Sequence, residues 1–207
     1  MPLKLTPHAA RWYLLGAALL IAFPSLMSLY TRYDNKLIVA LGKVDRDPNF
    51  AQTVVYIAAH NGWGAQGLIL NKPLPEQERQ KLANIPSGFD WYIGGPVTYP
   101  RGQFVLVTEG EAGRARWRMI SLPDYIRKYP EEWKKTLQDG EKKKKFRIYL
   151  GFSGWGSAQL EREIIRAGWG IIDFQEDMLT QMMAPEDIWR EAMKKVLEKS
   201  PEKQKGI

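Results

Sequence analysis

The sequence contains no cysteine and two histidines, His8 and His60, in 207 residues. Without cysteine there is no disulfide, no thiolate nucleophile and no cysteine-ligated zinc. Two imidazoles give a histidine-rich metal site or a Ser-His-Asp triad almost nothing to draw on. Any imidazole chemistry therefore falls to His60. A phosphate-binding loop, a dinucleotide fingerprint and metal-ligand spacing are also lacking. No cofactor and no metal are expected. Ser153 has no base near it in sequence, which makes it a weak nucleophile.

What is present is an ordinary globular composition, 44% hydrophobic and 26% charged, long enough for one domain with a full core. Tryptophan, at eight residues, and the net charge of +7 are both high. The basic excess gathers at Lys142–Lys145 and after Lys194, in a loop and a helix end where charge is normally solvated. No nucleic-acid motif accompanies it, so direct nucleic-acid binding is not expected.

Trp12–Tyr30 runs 19 residues without a charge, close to the roughly 20 needed to cross a bilayer core. Aromatics stand at both ends, and Arg11 and Arg32 flank it. The expected reading is a transmembrane helix anchoring the chain in the bacterial inner membrane as a single-pass protein, the domain leaning cytoplasmic. A cleaved signal peptide, or a helix or strand buried in a cytoplasmic domain, remains an alternative. The domain plan is then residues 1–33 as anchor or signal-like segment, 34–199 as the folded domain and 200–207 as a basic tail.

After Asp34, short apolar runs alternate with turn signals. Leu37–Leu41, Thr53–Ala59, Gly67–Leu70, Trp91–Ile93, Phe104–Thr108, Trp117–Leu122, Phe146–Leu150 and Gly168–Asp173 read as strands. Glu76–Ala83, Tyr125–Tyr129, Glu131–Leu137, Ser157–Arg166 and Glu186–Lys199 read as helices, and Asp139–Lys145 as a loop. This mixture predicts an α/β (α+β) layered domain, a mixed sheet flanked by helices. Two segments share a Gly-Trp-Gly core, Gly62–Gly64 and Gly154–Gly156. Each follows an apolar strand and reads as a tight glycine turn beside exposed backbone.

Motif order carries more than any one motif. Asp-Pro-Asn-Phe at Asp47–Phe50, Val54–Ile57, His60-Asn61, Gly64–Leu74, Gly-Gly-Pro-Val at Gly94–Val97, Arg101-Gly102, Phe104–Leu106 and Leu150–Glu161 occur in sequence. This collinear set resembles the bacterial YqgE/AlgH family over residues 37–197. The resemblance implies a compact α/β fold with a mixed sheet. Members are described as cytosolic proteins or transcriptional regulators without an established reaction. Three features depart from the pattern. Ile21–Leu26 resembles the family's opening strand but lies well upstream of its place, which Leu37–Leu41 fills. Trp63 stands at a position expected to vary. Residues 120–145 do not match the family's segment.

If the family turns converge, the candidate binding pocket is Asp47, Asn49, His60, Asn61, Asn71, Lys72, Gly94, Gly95, Ser153, Trp155, Gly156, Gln159 and Glu161. Backbone N–H groups at Gly156–Gln159 open a helix and favour an anion, with Gly156 as N-cap and Gln159 reaching back to it. The same residues also serve as plain turns, caps and core aromatics. Two functions compete. One is a non-enzymatic binding or regulatory module tethered to the membrane, with an unknown protein or small-molecule partner. The other is a hydrolase acting on a small anionic substrate, with His60 as acid/base and the Gly156 turn as anion holder.

Overall fold

The computed structural model describes residues 11–13, 31–82, 87–109, 116–174, 176, 178 and 183–199. Strand β1 (Lys36–Ala40) is buried from Leu37 to Ala40. Successive side chains leave a strand on opposite faces, so burial of every one demands a cover on each side. Leu37 and Val39 face one apolar cluster, Ile38 and Ala40 another. Strand β2 (Val54–Asn61) divides alike, Val54 and Tyr56 against Val55 and Ile57. Strand β3 (Gly64–Ile69) follows the same rule.

These strands form the middle of a five-stranded antiparallel sheet, with β8 (Ser153–Gly156) and β9 (Trp169–Asp173) at its edges in the order β8-β3-β2-β1-β9. A second sheet takes β4 (Asp90–Ile93), β5 (Gln103–Glu109), β6 (Arg116–Ser121) and β7 (Arg147–Leu150) in the order β4-β7-β5-β6. Here β4 runs parallel to β7 and the other pairs are antiparallel, so this sheet is mixed. The chain lays down three strands of the first sheet, builds the second, then returns to close both edges of the first.

The first sheet's inner cluster meets Tyr92, Tyr149, Phe104 and Leu106 of the second sheet, with Ile188 and Ala192 of the last helix, Pro185–Glu198. Its outer cluster lies under Leu160 and Ile164 of the helix Gln159–Ile165 and beside Trp155, Trp169 and Phe50. The second sheet's outer face, with Trp91, Val105, Ile148 and Leu150, is covered by Leu122 and Tyr125 of the helix Leu122–Lys128 and by Trp133 of the helix Pro130–Gln138. Each fully buried aliphatic side chain contributes about 1.5–3 kcal/mol.

Three expectations are corrected. The second Gly-Trp-Gly, expected as a turn, is itself the edge strand β8. The Asp139–Lys145 segment, expected as a loop, is helical from Gly140 to Lys145, because Asp139 caps it by accepting from the N–H groups of Glu141 and Lys142. Finally, among the described residues no helix is long and apolar enough to cross a membrane. The longest of them, Pro185–Glu198, has 14 residues and rises about 21 Å, short of a hydrocarbon core of about 30 Å. Of the expected span Trp12–Tyr30, residues 14–30 lie outside the described residues. Among the described residues the fold class is therefore a mixed α/β domain with no membrane-crossing helix, and the expected inner-membrane, single-pass placement has no support from them.

Candidate functional site

The two Gly-Trp-Gly segments are neighbours. Gly62 and Trp63 turn the chain from β2 to β3, and β3 then pairs with β8, Gly64 opposite Gly156 and Ala65 opposite Trp155. Gly64 has a φ of +138°, and a Cβ there would lie 2.0 Å from the Trp155 carbonyl oxygen. The glycine is required by this close approach of two backbones. Trp63 projects from the hairpin, 90% exposed, while Trp155 is buried.

His60 ends β2 with its ring inside the domain. Its Nε2 pairs with Glu161 Oε1 at 2.8 Å, both side chains almost fully buried. The Tyr33 ring meets the imidazole edge-on at 5.0 Å. Burial raises the Tyr33 phenol above its ordinary pKa, and the Glu161 carboxylate adds to that. The imidazole is thus held by the core and out of reach of solvent, so it gives a hydrolase no accessible acid/base.

Trp155 and Trp169 share one acceptor. Both indole N–H groups donate to Glu163 Oε2, at 2.9 and 2.8 Å, and Gln159 Nε2 donates to Glu163 Oε1 at 3.0 Å. Phe50 packs on both indoles. Gln159 also accepts the Gly156 N–H, the reach-back expected from the sequence. The helix itself starts two residues later than expected, after Ala158 in a left-handed conformation, so Gly156 is a strand residue and not the N-cap. Its N–H is already taken. Glu163 was missed in the sequence because an acidic residue on a helix reads as solvated. Replacing it with Ala strands two indole donors, with an expected loss of about 2–3 kcal/mol in urea denaturation; Glu163→Gln should lose less. A loss under about 0.5 kcal/mol for Glu163→Ala would show that the shared acceptor does not hold the two edge strands.

The remaining residues separate into local clusters. Ser153 Oγ donates to the Gly94 carbonyl, and Gly95 (φ +151°) lies too close to Phe152 and Ser153 for a Cβ. Asp47 accepts the Asn49 N–H. Lys72 Nζ donates to the carbonyls of Pro48 and Asn49. Burial lowers the Lys72 pKa, with Asp47 and Glu78 acting the other way. Asn71, buried, accepts from Val54 N–H and donates to the carbonyls of Gln52 and Pro185, tying β2 to the last helix. Asn61 accepts the Trp63 N–H in the hairpin turn. Asn61, Gly64 and Trp155 line an open groove of about 370 Å³ with Trp63, Gln66 and Phe152. The structure brings His60 to Glu161, and Trp155 to Gly156 and Gln159, without gathering the full set round one pocket.

A larger cleft, about 500 Å³, opens on the inner face of the second sheet. Its polar side is a cross-strand square. Asp90 stands beside Arg147 and Tyr92 beside Tyr149 on the parallel strands β4 and β7. The apolar side is Leu106, Trp117, Phe146 and Met183, with Lys144, Lys145, Ala184 and Pro185 completing the lining. The Arg147 guanidinium carbon lies 5.2 Å from the centre of the Tyr92 ring. Its Nη1 is buried and has no hydrogen-bond partner among the described residues. Burial drives the Tyr149 phenol far above its ordinary pKa, Arg147 opposing the shift. A signal existed in the sequence. Ile148 and Leu150 form one face of β7, which puts Arg147 and Tyr149 together on the other, inner face.

A family model described as AlgH-like matches residues 37–200. A UPF0301 protein of Paraburkholderia phytofirmans is 30% identical over 165 residues, 73% of this chain and 82% of its own. One from Agrobacterium fabrum is 31% identical over 171 residues, 72% and 80%. Among solved structures, the AlgH protein of Pseudomonas aeruginosa aligns with a TM-score of 0.57 at 28% identity, over 81% of this chain and 89% of that one. A Corynebacterium diphtheriae protein, at 19% identity and a TM-score of 0.55, shares the fold.

Proposed function

This chain belongs to the AlgH-like family, and from that premise we propose that it is a non-enzymatic binding or regulatory module whose ligand site is the cleft between the inner face of the second sheet and the segment Met183–Pro185 that leads into the last helix. The observation that carries this reading is the cleft itself. Its volume of about 500 Å³ lies within the range of small-molecule sites, and it combines apolar walls with a few convergent polar groups, as such sites do. The regulatory role implied by the resemblance takes a physical form here. A ligand in the cleft touches the second sheet and Pro185, the first residue of the last helix, which packs on the first sheet. Occupancy then favours one arrangement of helix and sheets over others by its differential contacts.

The test is a nuclear magnetic resonance titration of the whole chain with a neutral planar probe, 1-naphthalenemethanol. The Trp117 indole, Leu106 methyl and Met183 methyl signals are expected to shift together, with half-saturation below about 1 mM. Unmoved signals at these three residues, or shifts confined to the Trp63 groove, would remove the cleft as the ligand site.

A further inference from the structure

Resting on that reading of the cleft, we propose that its ligand is a small organic anion, a planar apolar body carrying a carboxylate or phosphate group that is received by Arg147. Arg147 lies against Tyr92 in a cation–π contact, which fixes the guanidinium plane. Its Nη1 is buried and has no hydrogen-bond partner among the described residues, and a buried donor left unpaired costs free energy that is recovered when the guanidinium turns to meet an acceptor in the cleft. A guanidinium fork matches the two oxygens of a carboxylate or phosphate in spacing and direction.

The surroundings agree in sign. Lys144, which also pairs with Glu141 at 3.1 Å, and Lys145 stand with Arg147 against the single carboxylate of Asp90 in the cleft lining, so the balance of charge at the cleft favours an anion and speeds its entry. Asp90 occupies the register position beside Arg147 and sets polarity at that end of the cleft. At the other end, Trp117 and Leu106 present apolar surface suited to a flat body. A bare inorganic ion would leave that surface wet, and a neutral aromatic would leave Arg147 Nη1 without an acceptor. Only a ligand with both parts uses the whole site.

The experiment compares three probes with one ring system, 1-naphthoate, 1-naphthyl phosphate and 1-naphthalenemethanol, by isothermal titration of the full chain. At least one anion is expected to bind about tenfold or more tightly than the alcohol. The anion that does so identifies the headgroup. Arg147→Gln should erase the difference between the anions and the alcohol. The double variant Lys144→Gln/Lys145→Gln, at exposed positions, should reduce anion affinity about two- to fivefold, and added salt should do the same in the wild type. Equal binding of all three probes overturns the anion inference and leaves the cleft reading standing. Absence of binding by any probe overturns both. An anion preference unchanged in Arg147→Gln places the anion elsewhere and overturns the inference. If that variant does not fold, an anion preference unaffected by the lysine substitutions and by salt overturns it equally.

Discussion

Gly64→Ala is expected to destabilise the domain by about 3 kcal/mol or more. Two costs add at one atom. The residue sits at φ +138°, where an L side chain is strained, and the new Cβ would fall 2.0 Å from the Trp155 carbonyl oxygen. That oxygen belongs to the backbone of β8, so relief requires the strand to move. Moving it disturbs the pairing of Gly64 with Gly156 and of Ala65 with Trp155, and with it the seat of Trp155 against Phe50 and Trp169. For a domain of this size the melting temperature should fall by about 6–12 °C. Gly140→Ala is the control, since a Cβ there meets nothing within 4 Å at the start of a helix. It should be neutral or slightly stabilising. Near-equal melting temperatures for the two variants would show that the hairpin and β8 do not approach as described.

The second large effect is expected at the buried pair. His60→Ala removes the partner of a carboxylate that is 2% exposed, and breaking such a pair costs about 3–5 kcal/mol. Glu161→Ala should cost a similar amount, leaving the imidazole with its Nδ1 already unpartnered among the described residues. The joint replacement His60→Leu/Glu161→Leu should recover much of the loss, because apolar groups of comparable size need no partner. A urea-denaturation cycle over the wild type, His60→Leu, Glu161→Leu and the joint replacement measures the coupling. Additive losses with no recovery in the double variant would show that the residues do not act as a pair. The double variant carries a functional consequence too. Its probe binding in the cleft of the second sheet should match the wild type, since His60 lies on the first sheet's outer cluster side and takes no part in the cleft lining.

Much of the architecture was legible because alternation and turns are local signals. The strands at Leu37, Val54 and Phe104 and the helices at Leu160 and Ile188 lie within a residue or two of where their patterns put them. Even the reach of Gln159 back to the Gly156 N–H followed from spacing. What escaped is non-local. A glycine-rich segment reads as a turn, and only the partner strand β3 makes Ser153–Gly156 an edge strand. Glu163 reads as a surface charge until two tryptophans from separate strands converge on it. Arg147 and Tyr149 share a face by simple periodicity, yet nothing in β7 alone says that the face looks into a cleft. That needed Asp90 and Tyr92 in register beside them and Trp117 on β6. The uncharged run Trp12–Tyr30 reads as a membrane span from composition alone, and its residues 14–30 lie outside those described.

The return of the chain to both edges of the five-stranded sheet bears on how the molecule assembles. Strands β1 to β3 can meet as soon as they emerge, but β8 and β9 arrive only after the whole second sheet. Contacts spanning so much chain form slowly, since loop closure must precede any gain from pairing. Until they form, β3 and β1 present bare backbone on either side, the kind of edge that recruits another chain. The two tryptophans delivered by β8 and β9, joined through Glu163 of the helix between them, therefore latch both margins at once. A ribosome-bound or truncated chain lacking that latch is the form of this protein most exposed to self-association.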